Sequence, residues 1–440
     1  MVLTSNKLLH LYILNKIRPV FSGLIFLYAI CLSNPLGLNY NPNISDIMVI
    51  GLSKTMPYIV KREIKHPINT AIDSSLAKLD RNRIYNLGLF DEVSWNLVPL
   101  EDGNAILKFI LIESMHKVPP VIFPSYDEEK GWSLSGLLLI RNLQGKNRNV
   151  QLSGSIGGQK TIQFLFSDPW IFGNHVSLFM FVEYNSYKHL FLDRTVDIST
   201  LRMDMGKWYG EKVKLRFSPT ISYRSFTNNI DTLNYNYFIP ELKLEYDSRD
   251  IYWNPKNGIR LINKFIPMVG ENAFFVWDQS YSIYVPLFDS KHDMILAFNT
   301  TLKNKWGHRK DVWLNYFGNS FNIRGWNLPS SNKNNFLSGS YRFGHEYLFS
   351  SVEIRKLIVP KDHSTLGLLN GLSMVGFLDA GVIFESWTKI KNENLMSGAG
   401  LGIRIPIPVL ESIRIDCGWG LRDGKFNKRP VIHFAFKQKF

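Results

Sequence analysis

The stretch Ile413-Arg-Ile-Asp-Cys-Gly-Trp-Gly-Leu-Arg422 decides the fold class, because apolar residues alternate in it with charged residues or glycine. A period of two places one set of side chains on each face of a β-strand. The same alternation occurs in Val213-Lys-Leu-Arg-Phe217. These patterns predict strands with one apolar and one charged face, although a soluble β-sandwich would give the same local pattern.

The number and length of such segments favour a barrel in a membrane. After His116 they recur in lengths of roughly ten residues, which a tilted strand needs to cross a bilayer. Tight turns alternate with longer polar connections, and the longest connection, 306–343, is too long to be simple linkage. We predict sixteen strands, at 118–125, 131–142, 147–157, 160–167, 175–187, 193–207, 211–224, 237–248, 258–268, 274–286, 293–305, 344–359, 371–384, 396–406, 411–422 and 430–440.

The composition of the 440 residues narrows the class of protein. At 45% hydrophobic and 20% charged residues, the chain can bury a large core, which excludes a disordered or coiled-coil protein. Aromatic residues make up 14%, which suits a barrel with rings at two lipid interfaces. The net charge is +14, but no compact run of Lys and Arg favours nucleic acid. Two cysteines, Cys31 and Cys417, cannot form a disulfide framework.

The first 38 residues have the layout of a secretory signal peptide. Three positive residues precede an apolar run at 19–32, and the polar Ser33-Asn-Pro35 follows it. A lipoprotein with Cys31 at its start is an alternative, but Ile30 stands where a small residue is needed. A retained anchor helix is another alternative, for which the apolar run is short. We therefore predict a cleaved signal peptide at 1–38.

The sequence pattern of residues 44–116 predicts a small soluble α/β unit. A strand around Ile47 and Val49 precedes two helices, of which the second, Ile72–Leu87, carries Leu76, Leu79 and Ile84 at helical spacing. Two strands joined by Glu101-Asp-Gly103 follow as a hairpin. The predicted order of elements is β-α-α-β-β.

Several motifs together carry a resemblance to a known family. The unit 44–116, with Asn86-Leu-Gly-Leu-Phe-Asp-Glu-Val93 after its second helix, resembles a POTRA domain. The rest resembles the barrel of the BamA/TamA-type outer-membrane protein assembly and translocation family, also called bacterial surface antigens. The supporting motifs are Asp168-Pro-Trp-Ile-Phe-Gly173, Asp247-Ser-Arg-Asp250, Ile323-Arg-Gly-Trp326, Gly376-Phe-Leu-Asp-Ala-Gly381 and Phe440.

This resemblance implies a mainly β chain with three parts. They are a signal peptide at 1–38, one POTRA domain at 44–116 and a sixteen-stranded transmembrane β-barrel at 118–440. It further implies a location in the bacterial outer membrane, with the POTRA domain in the periplasm. The implied function is assembly and insertion of outer-membrane proteins by strand augmentation at a lateral gate. The alternative is a protein-translocating or passive pore.

Partners follow from the same resemblance. They are unfolded outer-membrane β-barrel clients or a secreted polypeptide, outer-membrane lipid, and periplasmic chaperones or lipoproteins. Nucleic acid is not expected as a partner.

The long loop carries the first candidate site. Ile323, Arg324, Gly325 and Trp326 form a motif in which the arginine offers five donors, the glycine permits a tight turn and the tryptophan offers a flat apolar surface. Asp379 shares a strand face with Phe377 and Gly381, and if that face is the lumen it can pair with Arg324. Glu353 is a second possible partner. The plain alternative is that Arg324 and Asp379 are unrelated solvated charges.

The second candidate site is the seam between the first and last strands, which the family uses as a lateral gate. The first strand contains Pro119, Pro120 and Pro124, which lack a backbone donor, so it should pair poorly; alternatively these prolines form a linker. Lys437 departs from the family, whose members often have a kink-permitting glycine there. The predicted gate residues are Val121, Ile122, Phe434, Phe436 and Phe440.

Enzyme motifs are incomplete throughout the sequence. Gly154-Ser-Ile-Gly-Gly-Gln-Lys-Thr161 has Gln159 where a phosphate loop needs glycine. His345-Glu346 begins a zinc-protease motif that has Phe349 in place of the second histidine. Gly398-Ala-Gly-Leu-Gly402 has the wrong spacing for a dinucleotide fold. We therefore predict a non-enzyme without cofactor, metal or catalytic residue.

Overall fold

The computed structural model describes residues 41–115, 117–173, 175–287, 294–329, 340–359, 371–390, 395–407 and 411–440. The predicted signal peptide, 1–38, lies outside these residues. The described chain begins with short α/β elements and continues from residue 117 as long antiparallel strands. Within this part of the chain, no helix has the length and apolar content needed to span a membrane.

Four strands and two helices come first. They are β1 (Asn43–Ile50), α1 (Pro57–Lys61), β2 (Thr70–Ala71), α2 (Ser74–Asn86), β3 (Phe90–Pro99) and β4 (Ala105–Glu113). The strands form one sheet in the order β2-β1-β4-β3. The predicted order of elements lacked β2, because a two-residue strand is too short to produce a periodic pattern.

The chain divides into two compact units. The described part of the first comprises 41–48, 67–74 and 96–108, with Ile44 and Leu107 fully buried. The second comprises 49–66, 75–95 and the described residues from 109 onward.

Helix α2 buries a different face from the one that its leucines predict. Leu79 is 52% exposed, whereas Asp80 and Ile84 are fully buried. The carboxylate of Asp80 accepts hydrogen bonds from the backbone N–H groups of Lys65 and His66, at 2.9 and 3.0 Å. These bonds compensate the burial of a charged group and turn the Asp80 side of the helix inward.

A large antiparallel sheet makes up the rest of the fold. Its long strands are β5 (Lys117–Asp127), β6 (Gly131–Leu143), β7 (Arg148–Gly157), β8 (Gln159–Asp168), β9 (Val176–Lys188), β10 (Thr195–Tyr209), β11 (Val213–Thr227), β12 (Thr232–Asp247), β13 (Gly258–Gly270), β14 (Phe274–Leu287), β15 (Met294–Gly307), β18 (Glu346–Leu357), β19 (Ser373–Phe384), β20 (Leu395–Ile407), β21 (Glu411–Arg422) and β23 (Val431–Phe436).

Each long strand pairs with the next long strand along the chain, from β5 to β23. Two short strands, β16 (Asn315–Tyr316) and β17 (Phe343–Gly344), pair with each other inside the connection between β15 and β18. A third, β22 (Lys425–Phe426), pairs with the end of β21.

The sheet exposes its apolar face and buries its polar one. In β12, Leu242 and Leu244 are 39% and 44% exposed, while Lys243 and Glu245 are 8% and 6% exposed. A soluble sandwich would show the reverse, because exposed leucines and buried charges both cost free energy in water. This distribution excludes the sandwich alternative and is typical of strands that face lipid.

The first strand of the sheet contains the three prolines. Pro119, Pro120 and Pro124 all lie within β5, so they belong to a strand and not to a linker before it. The pairing of β5 with β6 shifts its register between Val118 and Val121, next to the first two prolines. Because proline has no backbone N–H, three of the eleven residues of β5 cannot donate a ladder hydrogen bond.

The last strand is shorter than the sequence predicts. Strand β23 ends at Phe436, and Lys437 adopts a φ of +67°, a left-handed conformation that glycine would favour. The backbone N–H of Lys437 still donates to the carbonyl of Ser412 at 2.8 Å, and the chain then leaves the sheet. The prediction of a strand that continues to Phe440 is therefore wrong, because the turn at Lys437 ends the extended ladder.

Candidate functional site

The connection between β15 and β18 packs onto the buried face of the sheet. We call residues 322–326 the plug segment. Ile323 and Arg324 are fully buried, and Trp326 is nearly so. The indole Nε1 of Trp326 donates a hydrogen bond of 2.8 Å to the carbonyl of Ser397 in β20. The plug segment is thus held against the wall of the sheet and shielded from solvent.

Two glycines allow this close approach. Gly325 has a φ of +87°, and a Cβ at this residue would lie 2.5 Å from the carbonyl carbon of Trp419. A Cβ at Gly398 in β20 would lie 1.9 Å from the carbonyl oxygen of Arg324. Both distances are far below van der Waals contact, so a larger residue at either position would push the plug segment off the wall.

Arg324 and Asp379 form the central contact of the site. The guanidinium donates from Nε to Oδ2 at 2.7 Å and from Nη2 to Oδ1 at 2.9 Å, which is a bidentate pair. The backbone N–H of Arg324 donates to Oδ2 at 3.1 Å. Asp379 therefore fixes the backbone of the plug segment as well as its side chain.

The remaining surface of the guanidinium is also occupied. Its Nη1 donates to Glu353 Oε1 at 2.7 Å and to Asp416 Oδ2 at 3.2 Å. Its central carbon lies 3.6 Å from the centre of the Phe377 ring, a cation–π distance. Arg324 thus contacts strands β18, β19 and β21 at once.

A larger charge cluster surrounds this contact. Cations outnumber carboxylates in it by five to three, and all eight side chains are almost fully buried. Buried charges are stable only when they are paired and hydrogen-bonded, so each member depends on its neighbours. The cluster consists of Arg324, Arg355, Arg404, Arg414 and Lys439 with Glu353, Asp379 and Asp416.

Three of the four sequence-predicted partners, Asp379, Glu353 and Phe377, lie against Arg324. Gly381 does not: a Cβ there would lie 2.5 Å from the Cβ of Phe349, so the glycine accommodates the neighbouring strand instead. Sequence reasoning missed Asp416 and Lys439. Asp416 lies on the charged face of the alternating stretch 413–422, and this position was the sequence signal from which its role could have been predicted.

The predicted gate residues occupy two different places. Phe440 lies beyond the end of β23, with its ring 6.3 Å from that of Tyr284 on the buried face. Its assignment to the seam is therefore wrong, because the turn at Lys437 carries it away. The other four are exposed in β5 or β23: Val121, Ile122, Phe434 and Phe436.

A further set of contacts, also missed by sequence reasoning, links the plug region to both ends of the sheet. The carboxylate of Glu128, next to β5, lies 2.5 Å from Nδ1 of His433 in β23 and accepts the backbone N–H of Ser320 at 2.9 Å. Nε2 of His433 accepts the backbone N–H of Gly325 at 2.9 Å, which assigns the ring proton to Nδ1, facing Glu128.

The hydrogen bonds to Glu128 favour its ionised form. Burial is the strongest influence and by itself raises the pKa of this carboxyl group. The hydrogen bonds from His433 and Ser320 outweigh it and hold the pKa of Glu128 below its usual value. The contact to His433 is therefore charge-assisted at neutral pH.

Solved structures with this fold include three that cover most of the chain. BamA from Haemophilus ducreyi lacking POTRA domains 1–3 aligns with a TM-score of 0.56 and 13% identity over 90% of this chain and 84% of its own. CdiB from Acinetobacter baumannii gives 0.55 and 11% over 90% and 74%. CdiB from Escherichia coli gives 0.53 and 11% over 92% of each chain. At such identities these similarities show the fold alone.

No curated protein sequence matches this chain. The family model for the Omp85 superfamily domain matches residues 142–440, which is more than half of the chain. Members of this superfamily are β-barrel proteins of the outer membrane that insert polypeptides into it or translocate them across it. The chain belongs to the Omp85 superfamily.

Proposed function

We propose that this protein inserts and assembles outer-membrane β-barrel proteins by strand augmentation. In this proposal the sheet closes between β5 and β23 as a sixteen-stranded barrel, and these two strands form the seam. Residues 44–116 are a POTRA domain in the periplasm, residues 1–38 are a signal peptide, and residues 118–440 form the barrel. The seam opens sideways to receive a client strand.

The observation that carries this proposal is the poor backbone pairing available at the seam. Strand β23 pairs with β21 over only the six positions 431–436, whereas β20 and β21 pair from 397 to 407. Strand β5 contains three prolines that cannot donate. Fewer ladder hydrogen bonds make these the strands that part at least cost, and a parted edge offers unpaired groups to a client strand.

The plug segment has a defined place in this mechanism. It keeps a polar loop inside the barrel through the contact of Arg324 with Asp379, Glu353 and Asp416. Held there, it supports the inner face of the barrel wall as long as the seam is closed. The proposed gate residues are Val121, Ile122, Phe434 and Phe436, which lie on the two strands that part.

The proposed partners follow from this role. Unfolded β-barrel clients bind at the POTRA sheet edge and then at the seam, and outer-membrane lipid surrounds the barrel. Periplasmic chaperones or lipoproteins deliver the clients. The site contains groups that bind and position, so we propose a protein that acts without enzymatic chemistry or a cofactor.

A cavity with charged side chains in its lining supports a second candidate function, that of a translocating or passive pore. The cavity has a volume of about 580 Å³ on the buried face of the sheet. Charged side chains from three neighbouring strands line it, including Arg202, Asp204, Arg216 and Glu241. Such a lining suits an exported polypeptide or a solute.

Reconstitution tests the two functions against each other. The purified protein is placed in liposomes, and a urea-unfolded client barrel is added. Faster appearance of the heat-modifiable, folded client band is expected, because barrels with all backbone groups paired migrate differently before and after boiling. Liposomes containing the heat-denatured protein are the control. Equal folding in both preparations, together with solute flux through the protein, would favour the pore.

A further inference from the structure

The strand β23 and the residues after it hold the plug segment at both ends. Lys439, whose side chain is almost fully buried, donates from Nζ to the backbone carbonyl of Asn322. At the other end, the ring of His433 accepts the backbone N–H of Gly325 at 2.9 Å. Both contacts are to backbone atoms, so they position the main chain of the plug whatever its side chains are.

Lys439 also joins the charge cluster. Its Nζ donates to Asp379 Oδ1 at 2.8 Å and to Ser351 Oγ at 3.0 Å. The left-handed turn at Lys437 makes this possible, because it directs the chain away from the sheet and onto its buried face. Asp379 therefore binds Arg324 of the plug and Lys439 of the segment after β23 at the same time.

The other side of the seam contacts the same loop. Glu128 follows β5 and accepts the backbone N–H of Ser320 at 2.9 Å, two residues before the plug segment. The same carboxylate faces His433 across the seam at 2.5 Å. Residues 320–325 are thus bound to the β5 side at one end and to the β23 side at the other.

From this arrangement we infer that the loop is a staple across the seam, with His433, Lys439 and Glu128 as its positioning residues. The loop cannot follow both strands when β23 moves away from β5. If it stays with β5, Gly325 and Asn322 lose their hydrogen bonds to His433 and Lys439. If it stays with β23, Ser320 loses its hydrogen bond to Glu128. Separation of the seam and release of the plug segment are then one coupled event. The inference rests on the proposed opening between β5 and β23.

Trypsin cleavage after Arg324 measures release of the plug segment. Arg324 is fully buried, so the Arg324–Gly325 bond is protected while the staple holds. The folded protein is digested in detergent, and the cleavage rate at this bond is followed by mass spectrometry. In His433→Phe combined with Lys439→Met, we expect the rate to rise about tenfold, because two hydrogen bonds to the backbone are lost.

The matched control is Lys428→Met, which removes an exposed lysine from the turn before β23. It should leave the rate unchanged. Lys439→Arg keeps the charge and should restore most of the protection when compared with Lys439→Met. Heat-modifiable migration confirms that each variant is folded before digestion.

A locked seam gives the decisive result. Cysteines replace Tyr126 and Phe434, in a background in which Cys417 is changed to Ser, and oxidation bridges the two strands. We expect the bridge to suppress cleavage after Arg324 in the protein that keeps His433 and Lys439, because a locked seam preserves their contacts to the plug segment, and we expect reductant to restore the cleavage. Cleavage that is equally fast with the bridge closed would overturn the coupling. This assay needs no client, so a failed insertion assay would refute the proposed function and leave the staple standing.

Discussion

Arg324 and Asp379 are joined by three hydrogen bonds, and one of them comes from the backbone N–H of the arginine. A substitution of the side chain therefore removes two bonds and leaves the third. Lys439 donates to the same carboxylate at 2.8 Å, so Asp379 keeps a cationic partner even without the guanidinium. Loss of Arg324 should loosen the plug segment without leaving a buried charge wholly uncompensated.

Arg324→Ala should destabilise the docked plug by about 1–3 kcal/mol, because the charge-assisted bonds to Asp379, Glu353 and Asp416 are lost. The barrel itself should still fold. The rate of chymotrypsin cleavage after Trp326, which is buried in the docked plug, measures the effect. Arg429→Ala, at an exposed arginine in the turn before β23, is the control. Cleavage at the unsubstituted rate would mean that the pair does not hold the loop.

The charge swap Arg324→Asp with Asp379→Arg should recover part of the lost protection if the contact is direct. Full recovery is not expected, because an aspartate at position 324 would face Glu353 and Asp416. The reversed arginine also cannot accept the backbone N–H of residue 324. The same chymotrypsin assay applies, with each single variant as reference. A double variant no better protected than Arg324→Ala would argue against a direct pair.

The wall glycine behind the plug offers a steric test. Gly398→Ala places a Cβ 1.9 Å from the carbonyl oxygen of Arg324, so the plug segment must shift. We expect faster cleavage after Trp326 with little change in the wall. Gly136→Ala is the matched control, because its Cβ would meet nothing closer than the Val121 carbonyl at 4.0 Å. Equal cleavage in the two variants would show that the loop does not need the space at Gly398.

The strands and the central contact between Arg324 and Asp379 could be predicted from the sequence. The alternation at 413–422 predicted strands with one apolar and one charged face. The exposed leucines and buried charges of β12 then show that the apolar face points outward. Arg324 and Asp379 stood out because each lies in a motif that resembles the family, Ile323–Trp326 and Gly376–Gly381, and because their charges are opposite. The local pattern could be read because a strand repeats every two residues.

Other features depend on contacts between distant residues and left no local signal. His433 looks like an ordinary polar residue of an alternating strand, and Glu128 like a turn residue. Their meeting depends on how the first and last strands lie. Lys439 was expected in a strand that continues to Phe440, since a lysine with a left-handed backbone is uncommon and the turn at Lys437 could not be read from residue type. The spacing of Leu79 predicted the wrong buried face of α2 for a similar reason. The buried face is decided by the hydrogen bonds that Asp80 accepts from the distant residues Lys65 and His66.

The contact between Glu128 and His433 predicts a pH dependence. The pKa of Glu128 lies below its usual value of 4.5, so its stabilising effect is complete above that value and is lost as the pH falls through the folded pKa. Glu128→Gln should therefore lower the urea concentration that unfolds the barrel at about pH 7, and the difference from the unsubstituted protein should shrink in acid. The heat-modifiable band measures the folded fraction. A difference that stays constant down to strong acid would show that ionised Glu128 contributes nothing.

A disulfide across the seam tests the proposed lateral gate. Cysteines at Ile122 and Phe436, or at Tyr126 and Phe434, are introduced after Cys417 is changed to Ser. A disulfide requires Cα atoms within about 7 Å, so its formation would also show that β5 and β23 are neighbours. If clients enter by pairing with an opened edge, the bridge should stop client insertion while leaving the lumen open, and reductant should restore activity.

The matched control for this bridge uses the native cysteine. Leu401 and Cys417 lie directly opposite each other in the paired strands β20 and β21, so Leu401→Cys can form a bridge inside the wall, away from the seam. This bridge constrains two strands that the mechanism never separates, and it should leave insertion intact. Loss of activity with the seam bridge alone would support the gate. Full activity of the bridged seam would mean that clients do not pass between β5 and β23, and the pore would become the better account of this protein.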